Sequence, residues 1–269
     1  MLLILGQGYS GTFIANAARA AGLSVTGVTR SGGPGLIRFD SPDLPDRIAA
    51  ATHILSSVPP ESETADGDDP VLARFGGQLR AHEGWLGYLS STGVYGDAGG
   101  AWVDESAPVG HGRRTARTAA DLRWQELGAA VLRLPGIYGP GRSALEQVRA
   151  GTAKRVLRPG HRFSRVHVED IAGATLAAIA ADWRGPLNIA DTHPEEPARI
   201  TEYACALLGA PPPPLLALDD AALSPMARRF WTERRLVSGE KLRRALGYRL
   251  RHPDYKAGLT AIHERTIAR

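Results

Sequence analysis

The sequence predicts an α/β protein built on a doubly wound parallel sheet, with a small C-terminal lobe. Three observations carry that expectation. Short apolar runs alternate with stretches whose apolar residues recur at helical spacing, the pattern of βαβ units. The strand-like runs lack an in/out alternation, as strands covered by helices on both faces do. The chain also opens on an apolar run that enters a glycine motif, Gly6-Gln-Gly8-Tyr-Ser-Gly11, followed at once by an alanine-rich helical segment.

Taken in order, strands are predicted at 2–5, 24–29, 35–39, 53–58, 85–90 and 130–134. Helices are predicted between them at 10–21, 44–50, 71–82 and 116–127. Right-handed crossovers then wind the sheet in both directions. Beyond Pro135, turn-rich segments at 135–141 and 158–161 mix with helices near 170–181 and 200–208. A stiff proline run follows at 211–214, then an arginine-rich helical stretch to about Arg235.

The glycine motif has a physical reading. Gly6 permits a tight turn, Gly8 lets backbone approach a pyrophosphate, and Gly11 lets helix pack closely on strand. Backbone amides at the helix start, at Tyr9 and Ser10, are oriented toward anionic oxygens. A Rossmann fold with a bound dinucleotide is therefore expected. The second strand ends at Thr29-Arg30-Ser31, where NAD-preferring proteins carry an acid for the ribose 2′-hydroxyl. Arg30 offers a planar set of donors to a 2′-phosphate and Ser31 a hydroxyl, which favours NADP over NAD. Asp40 stands where it can accept from an adenine amino group. Residues 1–140 are read as the dinucleotide-binding lobe, rejoined by about 166–190. Residues 141–165 and 191–269 are read as the substrate or lid lobe.

Composition narrows the partners. Hydrophobic residues make up 43% of the 269 and charged residues 22%, ordinary for a globular enzyme. The net charge of +4 comes from dispersed arginine pairs (113–114, 228–229, 234–235, 243–244), read as solvated helix faces with no nucleic-acid partner. Cys205 is the only cysteine, so no intrachain disulfide and no cysteine metal cluster can form; it reads as core packing. The opening apolar run is too short for a signal h-region or membrane span, so a cytoplasmic protein with no membrane partner is expected. There is no HExxH, no Gly-x-Ser-x-Gly elbow and no Walker lysine, and no metal is expected.

Four later segments, 89–96 (LSSTGVYG), 103–108 (VDESAP), 132–141 (LRLPGIYGPG) and 165–172 (RVHVEDIA), resemble the extended and atypical short-chain dehydrogenase/reductase superfamily, the NAD(P)-dependent epimerase/dehydratase group. With the glycine loop they stand in that group's order and cover most of the chain, and the tail 246–255 is similar to a bacterial subgroup. The resemblance implies that Ser91 hydrogen-bonds the reacting oxygen. It also implies that Pro135, Gly136 and Ile137 lie along the nicotinamide, that Val58 and Pro59 border the cofactor near its central ribose, and that 167–170 bridges back from the substrate lobe or simply forms a scaffold turn. A homodimer packing the helix after the serine strand is a further implication.

One departure bears on chemistry. Extended members carry Tyr-x-x-x-Lys on the helix after the serine strand, the tyrosine passing a proton while hydride moves. Counted back from Asp121, that tyrosine site holds Arg113 and the lysine site Arg117. Arginine stays protonated and cannot shuttle a proton, although Arg117 can hold a ribose hydroxyl or an anionic group. Tyr138, His111, His167 and Tyr95 are then candidates for the proton work. The remaining alternatives are hydride transfer with electrostatic stabilisation alone, or binding without turnover. The expected function is an NADP(H)-dependent oxidoreductase or epimerase/dehydratase-like enzyme for a small, anionic carbonyl or hydroxyl substrate, with Ser91, Tyr138 and Arg117 at its centre and Arg228, Arg229 and Arg234 as a lid. The alternative is a non-catalytic NADP(H)-binding redox sensor or scaffold protein.

Overall fold

In the computed structural model, the described residues are 1–62, 68–219, 223, 228 and 231–267. Arg229, part of the expected lid, lies outside them.

Strand β1 (Leu2–Leu5) is followed by α1 (Tyr9–Ala20), β2 (Val25–Thr29), β3 (Leu36–Arg38), α2 (Leu44–Ala50), β4 (His53–Ser56), α3 (Pro70–Arg80) and β5 (Trp85–Ser91). A 3-10 turn (Thr92–Tyr95), β6 (Trp102–Val103), α4 (Thr115–Glu126) and β7 (Ala130–Leu134) complete the first half. Then come β8 (Gly136–Tyr138), α5 (Ala144–Arg149), β9 (Arg155–Leu157), β10 (Arg165–His167), α6 (Val168–Ala180) and β11 (Gly185–Asn188). The last elements are α7 (Pro197–Leu207), β12 (Leu215–Ala217), β13 (Leu236–Val237), α8 (Glu240–Leu246) and α9 (Tyr255–Ile267).

Seven strands form one parallel sheet in the order β11-β7-β5-β4-β1-β2-β3. Leu2 of β1 is level with Val25 on one side and with His53 on the other. The order reverses beside β1, and in such sheets the crevice for a ligand opens at the carboxyl ends of the strands at that point. One apolar core fills the face under α1 and α6, with Ile4, Ile14, Leu132 and Ile171 fully buried. A second fills the opposite face under α2, α3 and α4, around Leu3, Leu5, Ile54, Tyr88 and Trp124. Burial on both faces is why these strands read as continuous apolar runs.

The four-residue strand β11, Gly-Pro-Leu-Asn, is not anticipated by the sequence pattern. It pairs with β7 at the sheet edge, where proline is tolerated. Three further two-stranded parallel pairs form outside the main sheet: β8 with β10, β9 with β12 and β6 with β13. A separate core of Tyr138, Leu145, Ile200, Tyr255, Leu259 and Ile262 knits α5, α7 and α9 together. Leu242 of α8 returns to the first sheet core, so part of the region assigned from sequence to the small lobe packs on the main one. His167 caps α6 by accepting from the Glu169 amide. Asp170 does not cap that helix: its carboxylate accepts from the amides of Arg251 and His252 and from the Tyr248 hydroxyl.

Candidate active site

A cleft of about 1660 Å³ runs across the carboxyl ends of β1, β2, β4, β5 and β7. At one end the chain leaves β1 through Gly6, whose φ of +85° only glycine adopts readily. A Cβ there would also stand 2.8 Å from Val58 Cγ2. At Gly8 the reverse holds. An added Cβ would meet only the Gly6 carbonyl, at 4.0 Å, so the cleft floor is open above the loop. Gly11 is buried, and its hydrogens let α1 sit against Ile4, since a Cβ would come within 3.4 Å of that side chain. Helix α1 has no side-chain cap and no acid in its first turn, which leaves its first amides directed at the cleft.

Arg30 lines the cleft at the end of β2, beside Thr29 and Phe39. Ser31 and Asp40 do not line it. Asp40 is exposed and bound to Arg38 at 2.7 Å, and that bond draws its carboxyl below the ordinary range. The structure therefore sets Asp40 outside the cleft, where the adenine role expected for it would require it to lie along the wall. Val58 and Pro59 form the middle of the wall, with Ser57, whose hydroxyl donates to the Gly6 carbonyl.

At the other end lie Ser91, Arg117 and Pro135–Ile137. Ser91 ends β5 and caps the 3-10 turn, its Oγ accepting from the Gly93 amide at 3.1 Å. That bond uses a lone pair and leaves the hydroxyl proton to be donated. Behind it, Ser90 donates to Asp121 at 2.6 Å, and Asp121 is fully buried and gripped by Arg133 at 2.8 and 3.1 Å. Arg117 donates to the Tyr88 hydroxyl at 2.7 Å, and Tyr88 stacks flat on Trp124 at 5.4 Å.

None of the four candidates for proton transfer lines this cleft. Tyr138 is buried in the small-lobe core and donates to the Asp254 carbonyl at 3.2 Å, and burial pushes its hydroxyl far above its ordinary range. Its catalytic assignment is thereby corrected. Tyr95 is buried, donating to Asn188 at 2.8 Å and accepting from Arg133 at 3.0 Å. Burial, with His252 beside it, pulls His167 down to about 3, and its ring lies 3.9 Å from that of His252. His111 is exposed on a loop outside the cleft. Among the described lining residues there is no histidine or lysine. The lining tyrosine, Tyr9, donates to the Pro140 carbonyl at 3.0 Å, and burial pushes it up to about 12.

Sequence reading missed much of the outer wall: Phe163, Ser164 and Arg165 from the approach to β10, Arg142 from the turn after β8, and Trp231, Glu233, Arg235 and Val237. Residues 231–235 are not helical, and 236–237 form β13. Arg234 faces away from the cleft, its amide donating to Asp97 and its carbonyl accepting from Ala98 and Gly100. Arg228 is paired with Asp219 at 3.8 Å outside the cleft. The expected arginine lid is thus not assembled by these residues. The cleft is strongly cationic all the same, lined by Arg30, Arg113, Arg114, Arg117, Arg142, Arg165 and Arg235 against Glu61 and Glu233.

No family model matches the chain. A functionally unknown conserved protein from Silicibacter pomeroyi is 36% identical, with a TM-score of 0.83 over 98% of both chains. The human epimerase family protein SDR39U1, solved with NADPH, is 20% identical with a TM-score of 0.74, over 98% of this chain and 99% of that one. A Streptomyces 3-diazoavenalumate denitrifying reductase is 32% identical over 162 residues, 54% of this chain and 52% of the reductase, so the match spans about half of that enzyme. No helix among the described residues is long and apolar enough to cross a membrane. The chain belongs to one family with the Silicibacter pomeroyi protein, and its fold is that of the NAD(P)-dependent epimerase/dehydratase group of short-chain dehydrogenases/reductases.

Proposed function

We propose that this protein is an oxidoreductase that binds a nicotinamide dinucleotide, NADP(H) before NAD(H), and acts on a small anionic carbonyl or hydroxyl compound. The observation that carries the reading is the continuity of one open cleft from the glycine loop at Gly6–Ser10 to Ser91 and Pro135–Ile137. The residues fit a dinucleotide: open floor above Gly8, uncapped amides at the start of α1, and a cation at Arg30 in place of an acid. When bound, such a group supplies or accepts hydride. The likeness to a protein solved with NADPH and to a reductase supports the same chemistry.

Within that reading the chain's own part is electrostatic. Ser91 donates a hydrogen bond from its hydroxyl to the reacting oxygen, and the proton that this oxygen gains or loses is exchanged with solvent through the open cleft. Arg117, at the site where related enzymes hold lysine, stabilises negative charge there without exchanging a proton. Fixed donors of this type contribute about 3–4 kcal/mol each in well-studied enzymes. The rival reading, a sensor that binds NADP(H) without turnover, is favoured by the absence of a tyrosine–lysine pair. The open cleft beside Ser91 weighs against it, because a protein that only binds the dinucleotide could fill that space with side chains.

Titration of the purified protein with NADPH, NADP⁺, NADH and NAD⁺ by calorimetry and nicotinamide fluorescence tests the proposal. The expected result is NADP(H) binding at least tenfold tighter than NAD(H), with that preference abolished in Arg30→Asp. Binding of none of the four would overturn both readings. A preference for NAD(H) would remove the role given to Arg30.

A further inference from the structure

We propose that residues 231–237 and Phe163 form an acceptor site for a planar aromatic carboxylate, whose ring lies against Phe163 and Trp231 and whose carboxylate meets Arg113 and Arg235. This names the substrate class for the oxidoreductase read above, and rests on it.

The segment 231–237 starts in a turn at Trp231 and runs as a strap along the cleft wall into β13. Its odd residues Trp231, Glu233, Arg235 and Val237 line the cleft, while Thr232 and Arg234 are exposed. The strap is pinned from behind. Arg234 is tied to the 97–100 loop, Leu236 and Val237 pair with Trp102 and Val103, and the Val237 amide donates to Ser164 at 2.8 Å. A pinned strap presents its side chains in fixed positions, as a specificity surface requires.

Its aromatic half is a corner. Phe163 and Trp231 meet edge to face at 5.3 Å, backed by the buried His161 ring at 4.6 and 5.1 Å. Burial brings His161 down to about 4, so the ring behind the corner carries no charge at neutral pH. A flat conjugated ring is the partner such a surface fits. Its cationic half is a triad. Glu233 accepts from the Arg113 amide at 2.9 Å and pairs with Arg235 at 2.9 Å and Arg113 at 3.8 Å. Glu233 is thus shared between two guanidiniums in a half-buried wall. Arg235 spends only its Nη1 on Glu233 and the Gly96 carbonyl, and a guanidinium has five N–H donors. Its remaining donors can take a second carboxylate. The cleft volume exceeds the roughly 300–1,000 Å³ of a single drug-sized ligand, which leaves room beside a dinucleotide.

The test is calorimetric titration with 4-hydroxycinnamate, its carboxamide and UDP, on protein alone and on protein saturated with NADP⁺. 4-Hydroxycinnamate should bind with submillimolar Kd. The carboxamide should bind at least tenfold more weakly, and so should 4-hydroxycinnamate to Arg235→Met and to Trp231→Leu, each assayed at a temperature where it is folded and with NADP⁺ affinity held. The carboxamide arm needs no variant, so an unfolded mutant does not spoil the test. Equal binding of acid and amide, no binding of either, or UDP binding that depends on Arg235 would each overturn the proposal. Failure of NADP⁺ to bind, while the acid binds the protein alone, would instead strike only the cofactor reading.

Discussion

Arg133 and Asp121 show what a single buried contact does here. Both side chains are at most 3% exposed, and the guanidinium grips both carboxylate oxygens while its remaining arm reaches Tyr95. The pair sits under Ser90, one residue from the serine expected to meet substrate. Removing one member of a buried pair strands the other charge and costs about 3–5 kcal/mol. Arg133→Met should therefore lower the melting temperature by about 10 °C, at roughly 2–4 °C per kcal/mol for a chain of this size. Arg133→Met combined with Asp121→Leu should recover much of that loss, because no charge is then left unpaired. Calorimetric melting curves decide it: a drop under 2 °C in the single variant would mean that the pair is not the support for Ser90 argued here.

Helix α3 depends on one residue at its start. Asp69 accepts from the amides of Val71 and Leu72 at 2.9 and 3.0 Å and from the Trp124 indole at 2.9 Å, so it caps α3 and ties it to α4. Asp69→Ala should cost about 1–3 kcal/mol, the loss of a cap plus an orphaned indole N–H, read by urea unfolding. Asp69→Asn keeps the cap oxygen and should lose less; equal losses would mean that the cap contributes little. Elements of this type were legible because their signals are local. The apolar run 2–5, the glycine spacing and the alanine-rich stretch together give β1, its turn and α1 with bounds correct to about one residue. Tyr138 was misplaced because its turn sequence says nothing of direction: only the closure of α9 over it, with Gly258 admitting its hydroxyl, decides which way it faces. The strap departs from the helix expected to about Arg235 because its cleft-lining residues recur at a period of two, Trp-x-Glu-x-Arg-x-Val, which a helix would scatter around its axis. Arg165 was invisible for a different reason, since its approach to Gly136 depends on the pairing of β10 with β8.

Stability against pH is set by groups spread over both lobes, and their signs oppose. Burial alone would raise Glu169, but Arg265 and His252 bring it down to about 2 from 4.5, so its contribution is present above pH 4.5 and lost as pH falls toward 2. His161 and His167 fall from 6.5 to about 4 and about 3, mainly by burial, so the unfolded chain takes up their protons first and stability declines below pH 6.5. Asp191 runs the other way. Burial raises its carboxyl from 3.8 to about 7 against the pull of Arg165, and its side-chain oxygens have no side-chain partner. Between pH 4 and 7 the folded state holds a proton on Asp191 that the unfolded state has lost, so this residue alone makes stability fall as pH rises. Two histidines against one aspartate leave a net gain with pH up to about 6.5, above which Asp191 alone sets the slope. Asp191→Asn removes the opposing proton and should steepen the rise by about one proton, roughly 1.4 kcal/mol per pH unit, with the variant more stable than wild type above pH 7. Urea unfolding of both proteins at pH 4.5, 5.5, 6.5 and 8 measures the slopes. Parallel profiles would mean that Asp191 is ionised in the folded protein at all four values, held there by Arg165, and the ordering of charges between β10 and β11 would have to be redrawn around a true ion pair.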